Sequence, residues 1–349
     1  MKHAASHQQL RQTRPTYYLL LATCYSFLRE QAPIGLLALA TFLIIAMLAV
    51  ILGNVFINGA GWISWEFLTS APRQGMMAGG IYPAIFGTVF LVLLMTIAAV
   101  PVGVATAVYL NEYAPKVTLA QARRKLATAK GGARLRSFGQ LVQVGLTEMT
   151  RAAVTTLAGV PSIVFGLFGL GFFIQFIGAS IDQALYGGEL VFGQPAVIWA
   201  ALTLAILTLP VVIVATEESL RAVPQDLRDA SLALGATKWQ TISQVVLPQA
   251  LPGILTGTIL AISRGAGEVA PILFTGAAYF LPHLPTRLND QFMHLGYHVF
   301  ILSTQSPDVE KTRPILYATV LVLLVLTFSL NFVGVLIRMR VRQRLRVGR

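Results

Sequence analysis

Two long apolar blocks of this sequence are separated by a polar loop that reads EESLRAVPQDLRDASLALGATKWQTISQVVLPQALPG, residues 217–253. The loop mixes both signs of charge, and its first half predicts a short helix with an apolar stripe at helical spacing. The stripe consists of Val223, Leu227, Ala230 and Leu234. Pro224 suits the first turn of this helix, and Gly235 is expected to end it.

A second short helix is predicted to begin after Thr237, whose hydroxyl can accept a hydrogen bond from the backbone of the first turn. Its apolar face consists of Trp239, Ile242, Val245 and Val246. Pro248 then leads into the next apolar block. Because an amphipathic hairpin at a membrane surface exposes apolar side chains, we expect another protein to cover it.

The composition of the whole chain is that of a membrane protein. Of its 349 residues, 55% are hydrophobic and 11% are charged, whereas soluble domains carry about a quarter charged residues. The mean hydropathy is +0.70. Apolar blocks of about 20 to 30 residues are long enough to cross a bilayer as helices. The single cysteine, Cys24, excludes an internal disulfide and a metal site built from cysteines.

Six spans are predicted, at residues 34–56, 81–109, 152–180, 190–216, 249–281 and 315–337. They lack the alternation of barrel strands, so the predicted fold class is an all-α polytopic membrane protein with six transmembrane helices. When the 26 Lys and Arg residues are assigned to the two sides of the membrane, 21 fall on one side and four on the other, and Arg264 lies within a span. The positive-inside rule therefore predicts that both termini are cytoplasmic.

The polar segments divide the chain further. We predict a basic leader at 1–33, a transmembrane domain at 34–337 with a cytoplasmic insert at 112–151 and a loop at 217–248, and a basic tail at 338–349.

The most basic part of the insert runs from Lys116 to Arg136 and holds seven Lys or Arg residues and no acid. The pair Gly131-Gly132 is expected to break any long helix there. This stretch is either a solvated loop that sets the topology or a segment that binds anionic lipid.

The loop at 217–253 resembles the EAA motif of ABC importer permeases, which runs Glu-Ala-Ala, three residues, Gly, nine residues, Ile, one residue and Leu-Pro. The matching positions are Asp229, Ala230, Ser231, Gly235, Val245, Leu247 and Pro248. Asp, Ser and Val replace Glu, Ala and Ile, and the spacing is kept. The resemblance implies a type I ABC importer permease fold, in which residues about 225–240 form coupling helices that fit a groove of a separate ATPase.

Other blocks resemble the PstA family of permease subunits of phosphate importers. They are VYLNEYAP at 108–115, LAGVPSIVFGLFGLGF at 157–172, ILTGTILAISRGAGEVAPILFTGAAYF at 254–280 and HLGYHVFILSTQSP at 294–307. The resemblance implies a complex with a PstC-like companion permease, two copies of a PstB-like ATPase and a PstS-like phosphate-binding protein. The chain has no G-x-x-x-x-G-K-[ST] loop, so we expect ATP to be bound by a partner and this chain to hold no cofactor and to be no enzyme.

Arg264 and Glu268 are the candidate residues of the substrate path. They are four residues apart on one predicted helix face near mid-membrane, where a charge is costly and is expected to face the bundle interior with a partner. The planar guanidinium of Arg264 can bind a phosphate oxyanion, and Glu268 can orient that guanidinium and weaken its binding of the anion. The alternative is an ion pair that only joins helices.

Pro161 and Ser162, which lie among glycines, are expected to mark a kink or gate that lines the path, although close helix packing explains the glycines equally well. The pair His294 and His298 lacks a third ligand, so we expect no metal site. Two other functions stay open at this point: a permease for another oxyanion, such as phosphonate, sulfate or molybdate, and a standalone carrier or channel.

Overall fold

The computed structural model describes residues 33–73, 76, 78–115, 117–129, 131–306 and 308–347. It divides into two compact units, Met1–Asn58 and Gly59–Arg349. Of the predicted leader, residues 1–32 lie outside the described residues, as do the last two residues of the predicted tail.

Six helices among the described residues are long and apolar enough to cross a membrane, which confirms the predicted number of spans. They are Pro33–Trp62, Tyr82–Tyr113, Ser162–Leu185, Val197–Arg221, Lys238–Gly267 and Val309–Arg344. The predicted helical class is confirmed as well, and the chain is a multi-pass membrane protein. A short hairpin that the sequence did not suggest pairs β1, Pro72–Arg73, with β2, Ala78–Gly79.

The helices are numbered along the chain. They are α1 (Pro33–Trp62), α2 (Trp65–Thr69), α3 (Tyr82–Val108), α4 (Leu119–Thr128), α5 (Gly132–Ala158), α6 (Ser162–Phe168), α7 (Ala179–Leu185), α8 (Val197–Arg221), α9 (Gln225–Ala233), α10 (Lys238–Thr241), α11 (Leu247–Gly267), α12 (Ile272–Thr275), α13 (Leu295–Thr304) and α14 (Val309–Val347). Wider π-helical turns extend α3 through Tyr109–Tyr113, join α6 to α7 through Gly169–Gly178 and join α10 to α11 through Ile242–Val246.

The third predicted span, 152–180, is wrong as a single helix. The structure has α5, which ends at Ala158, and a new helix, α6, for which Pro161 is the N-cap residue with extended backbone. Proline has no N–H and disfavours helical backbone at the residue before it, which favours a break at Val160 and Pro161. The apolar composition is the same on both sides of the break, and so it gave no sign of two helices.

The fifth predicted span, 249–281, is wrong at its outer end. The helix stops at Gly267, and Glu268 already has extended backbone, with φ −79° and ψ 126°. Pro271 could not donate a hydrogen bond to the carbonyl of Gly267, and its ring would clash with that carbonyl in a continuous helix. The apolar residues beyond this point form the short helix α12 and irregular segments.

The fourth predicted span, 190–216, begins too early, because a buried carboxylate holds its first residues in a loop. Asp182 accepts hydrogen bonds from the backbone N–H groups of Val191, Phe192 and Gly193 at 3.0, 2.8 and 2.7 Å. Helix α8 starts only at Val197.

The central packing joins α3, α8 and α11 through positions that leave no room for a side chain. A Cβ added to Gly103 of α3 would lie 2.7 Å from Val212 Cγ1 of α8. One added to Gly257 of α11 would lie 2.5 Å from Ala215 Cβ, also on α8. Small residues let helix backbones approach closely in a membrane, where van der Waals contact replaces the hydrophobic effect between helices.

We expect Gly257→Ala to destabilise the protein by about 1–3 kcal/mol, because the added methyl group overpacks a rigid contact with Ala215. Thermal unfolding of the purified protein in detergent measures the change. The matched control is Gly139→Ala in α5, where a Cβ would meet nothing within 4 Å and the loss of a helical glycine should stabilise by about 0.5–1 kcal/mol. Equal melting temperatures for the two variants would contradict the close α8–α11 contact.

Candidate functional site

Arg264 and Glu268 meet at the end of α11. The Arg264 Nε atom lies 3.4 Å from Glu268 Oε1, and the two side chains are 42% and 22% exposed. The predicted pair therefore exists, although Glu268 ends the helix instead of continuing it. Among the described residues Glu268 is the ion-pair partner of Arg264, and it contacts the guanidinium at Nε.

The pair lies beside the middle of two neighbouring spans. A Cβ added to Gly265 would be 2.3 Å from Met95 Sδ of α3 and 4.0 Å from Thr208 Cγ2 of α8. Met95 and Thr208 both lie about halfway along their helices. Arg264, next to Gly265 in sequence, is thus at the depth where an ionised side chain is most costly and most often functional.

Helix α6, which follows the break at Pro161, packs against the segment directly after Glu268. A Cβ added to Gly166 of α6 would lie 3.1 Å from the Ala270 carbonyl oxygen and 3.1 Å from Pro271 Cα. The structure therefore joins α6 to the segment that follows Glu268. Pro161 and Ser162 lie at the start of α6, about one turn before this contact, with Pro161 exposed and Ser162 half-buried.

The hydroxyl groups near the pair bond mostly within their own helices. Thr256, Thr258 and Thr275 donate to backbone carbonyls four residues earlier at 2.9, 3.1 and 2.9 Å. Ser263 differs, since its hydroxyl donates to Asn331 Oδ1 of α14 at 2.6 Å. Local spacing does not indicate this bond between helices, because the two residues are 68 positions apart.

The polar loop folds as the predicted pair of short helices, here named the 225–241 hairpin. Gly235 follows α9 with φ +86°, a left-handed conformation that glycine adopts readily. Thr237 accepts a hydrogen bond from Gln240 N–H at 3.3 Å, and the Gln240 side chain accepts one from Thr237 N–H at 2.8 Å. Pro224 precedes α9 as its N-cap residue and does not lie in its first turn.

The predicted apolar stripe of α9 is only half buried. Val223 is buried and Leu227 is partly buried, whereas Ala230 is exposed and Leu234 is 90% exposed. Leu234 already lies in the turn after α9, where the helical spacing no longer applies. Leu232 and Trp239 of the hairpin are exposed as well.

The remaining motif positions hold the hairpin together. Asp229 is exposed and accepts a hydrogen bond from Gln225 Nε2 at 3.0 Å. The hydroxyl groups of Ser231 and Thr241 lie 3.0 Å apart and link α9 to α10. Leu247 and Pro248 begin α11 directly after the π-helical turn at Ile242–Val246.

Charged residues that the sequence analysis did not single out connect the hairpin to the spans. Arg228 of α9 forms an ion pair with Glu112, at the end of the α3 span. Arg151 of α5 lies 3.5 Å from Glu217 of α8, which also pairs with Arg221 at 2.9 Å. The first two pairs join residues 116 and 66 positions apart, so no local spacing identifies them. Glu217 and Arg221, by contrast, are four residues apart in α8.

The two histidines of α13 are packing groups. His294 and His298 are buried, and burial lowers the pKa of each to about 4, so both are uncharged at neutral pH. His294 Nδ1 accepts a hydrogen bond from Gly296 N–H at 3.1 Å. In the part of the chain that the structure describes, no group of three or more His, Cys, Asp and Glu could hold a metal ion.

Comparisons with known proteins agree on one class of protein. Residues 146–346 match the family model described as binding-protein-dependent transport system inner membrane component. The probable ABC transporter permease protein YqgI of Bacillus subtilis is 30% identical over 310 residues, which cover 85% of this chain and 91% of YqgI.

Two phosphate transport system permease proteins are also similar. PstA 1 of Mycobacterium tuberculosis is 37% identical over 217 residues, 62% of this chain and 57% of its own length. PstA of Yersinia pestis is 35% identical over 210 residues, 60% of this chain and 57% of its own length. The chain thus spans somewhat more than half of these two relatives. Among solved structures, the inward-facing MetNI methionine ABC transporter is 17% identical with a TM-score of 0.49, over 74% of this chain and 94% of that one.

Proposed function

Because this chain belongs to the family of binding-protein-dependent transport system inner membrane components, we propose that it is the permease subunit of an ATP-driven importer of inorganic phosphate. It acts in the bacterial inner (plasma) membrane. The observation that carries the proposal is the Arg264–Glu268 pair, which lies at the depth of the middle of α3 and α8, with the Arg264 side chain 42% exposed. The phosphate transport permeases among its relatives support this choice of substrate.

Arg264 binds the anion during its passage. A guanidinium offers two parallel N–H donors that fit the oxygens of a phosphate, and its charge persists at any physiological pH. Glu268 orients the fork from one side at 3.4 Å and competes with phosphate for it. Such competition keeps the anion from binding too tightly to leave.

Pro161 and Ser162 line the same path. They begin the half-helix α6, which contacts the chain directly after Glu268 through Gly166. Interrupted helices near the membrane centre are a common way to present backbone groups to a substrate, since the backbone there needs partners other than lipid.

The 225–241 hairpin transmits energy from a separate ATPase. This chain has no phosphate-binding G-x-x-x-x-G-K-[ST] loop, so another subunit must hydrolyse ATP. The exposed residues Leu232, Leu234 and Trp239 give a short helical segment an apolar face that fits a groove on that subunit. Two copies of a PstB-like ATPase, a PstC-like companion permease and a PstS-like binding protein complete the importer.

Transport follows alternating access. Closure of the ATPase dimer on ATP draws the hairpin inward, the spans open outward, and phosphate passes from the binding protein to Arg264. Hydrolysis of ATP then returns the spans to the inward-open arrangement.

The proposal is tested by uptake of labelled phosphate into proteoliposomes that contain the complete complex and ATP. We expect uptake that requires ATP and that excess unlabelled phosphate suppresses, while sulfate, molybdate and phosphonate do not. Stronger competition by one of those anions would assign the permease to that anion instead. Uptake by this chain alone without ATP would point to a standalone carrier.

A further inference from the structure

The 225–241 hairpin is connected to α3 by side chains and not through adjoining backbone. Leu227 of α9 packs against the buried apolar cluster that includes Leu110 at the end of the α3 span, and charged side chains add a second contact. Glu112, at the cytoplasmic end of the α3 span, pairs with Arg228 of α9, 116 residues later. Both side chains are 11% exposed. The hairpin is joined covalently to α8 and to α11, but α3 has no covalent link to it.

Both helices of the hairpin converge on the same short turn of α3. Arg228 of α9 reaches the Glu112 carboxylate, and its Nη2 atom donates to the Leu220 carbonyl of α8 at 2.6 Å. Lys238 of α10 donates to the Glu112 main-chain carbonyl at 2.5 Å and lies 4.8 Å from the centre of the Tyr113 ring. One turn of α3 thereby holds α8, α9 and α10 together.

The other ion pair on this loop provides a contrast. Arg221 pairs with Glu217 at 2.9 Å within α8 itself, and its side chain is 60% exposed. Glu217 is 12% exposed but has a second partner, Arg151, at 3.5 Å. Removal of Arg221 therefore leaves Glu217 paired, and the exposed Arg221 itself contributes little because water screens its charge. Removing one member of the buried Glu112–Arg228 pair is different, since it leaves an uncompensated charge away from water.

The α3 helix also reaches the Arg264 site. Met95 of α3 occupies the space beside Gly265, where even a Cβ would come within 2.3 Å of its sulfur. Packing this close transmits displacement, because protein interiors have few voids to absorb it. A movement of α3 at Glu112 is therefore transmitted to the last turn of α11.

We propose that Glu112 is a positioning residue for transport: through Arg228 and Lys238 it makes α3 move with the 225–241 hairpin, so that ATP-driven movement of the hairpin reaches the Arg264 site. This role rests on the proposed function of the chain as an ATP-driven permease. Without the contact, movement of the hairpin reaches the end of α3 only through apolar packing, and part of the ATP is hydrolysed without a matching passage of substrate.

The first experiment compares phosphate uptake with ATP hydrolysis in the same proteoliposomes for the wild type, Glu112→Gln and the control Arg221→Gln. We expect Glu112→Gln to keep the ATPase bound and hydrolysing ATP, while phosphate carried per ATP falls about tenfold or more, since the variant leaves the buried Arg228 without its charged partner. Arg221→Gln should keep the wild-type ratio. An unchanged ratio in Glu112→Gln, or loss of the bound ATPase together with uptake, would overturn the proposal.

The second experiment reads the movement without using phosphate. With Cys24 replaced by serine, spin labels are attached at Val102 of α3 and Asp226 of α9, both exposed. In the complex with wild-type Glu112, the distance between the labels should stay constant between the nucleotide-free and ATP-trapped states, and in Glu112→Gln it should change. A distance that changes equally in both would refute the coupling of α3 to the hairpin. Absence of phosphate uptake by the wild type would instead refute the proposed substrate and leave this distance measurement valid.

Discussion

Arg264→Ala is expected to abolish phosphate uptake while the complex still assembles and hydrolyses ATP. The substitution removes a guanidinium at the depth of the middle of α3 and α8, and with it the two charge-assisted hydrogen bonds that we propose it donates to the anion. At about 1.5 kcal/mol or more for each bond, uptake should fall at least about 100-fold. Proteoliposomes loaded with labelled phosphate and ATP measure the loss, and copurification of the ATPase verifies assembly.

Two further variants separate transport from packing. Glu268→Gln keeps the size of the side chain and removes its charge, so we expect phosphate to bind Arg264 more tightly and to leave more slowly, with reduced turnover. Arg313→Ala is the matched control, since this exposed arginine of α14 lies far from α11 in the sequence and enters no ion pair among the described residues. Wild-type uptake by Arg264→Ala would reduce the pair to a structural contact between neighbouring turns.

The residues of this site were predictable, but the shape of their helix was not. A spacing of four identified Arg264 and Glu268 as partners, and the contact at 3.4 Å is present. Helix α11 ends between these two residues because of Gly267 and Pro271. A prediction based on apolar composition alone does not detect the effect of Gly267 and Pro271. The same holds for the break at Pro161, where a span predicted as one helix became two.

The cytoplasmic hairpin shows the limit of local patterns in another way. Gly235 and Thr237 end and begin its helices as predicted, because both act on neighbouring backbone atoms. The stripe through Leu234 was wrong, because the helix had already ended. The pair of Glu112 with Arg228 joins residues 116 positions apart, and nothing in either local sequence specifies the other.

The error at Leu234 is informative, since it leaves a large apolar side chain on the surface of the hairpin. Leu234 is 90% exposed, and Leu232 and Trp239 are 47% and 60% exposed close by in the sequence. An apolar cluster on a cytoplasmic loop is unfavourable in water, and burial of one leucine against a partner contributes about 1.5–3 kcal/mol. We infer that the exposed side chain is the part of the hairpin that enters the ATPase groove.

Leu234→Asp is therefore expected to release the ATPase and to abolish uptake, while the permease itself stays folded because the residue contacts water and not the core. Loss of the leucine contact and desolvation of a carboxylate should together weaken ATPase binding about 100-fold. Copurification and a titration of ATPase onto the immobilised permease measure this. The matched control is Leu190→Asp, in the loop before α8, where the leucine is 69% exposed and ATPase binding should be unaffected. If Leu234→Asp retained the ATPase at wild-type affinity, the hairpin would have to bind the ATPase through another face. The buried Glu112–Arg228 contact would then connect α3 to that other face and not to the surface around Leu234.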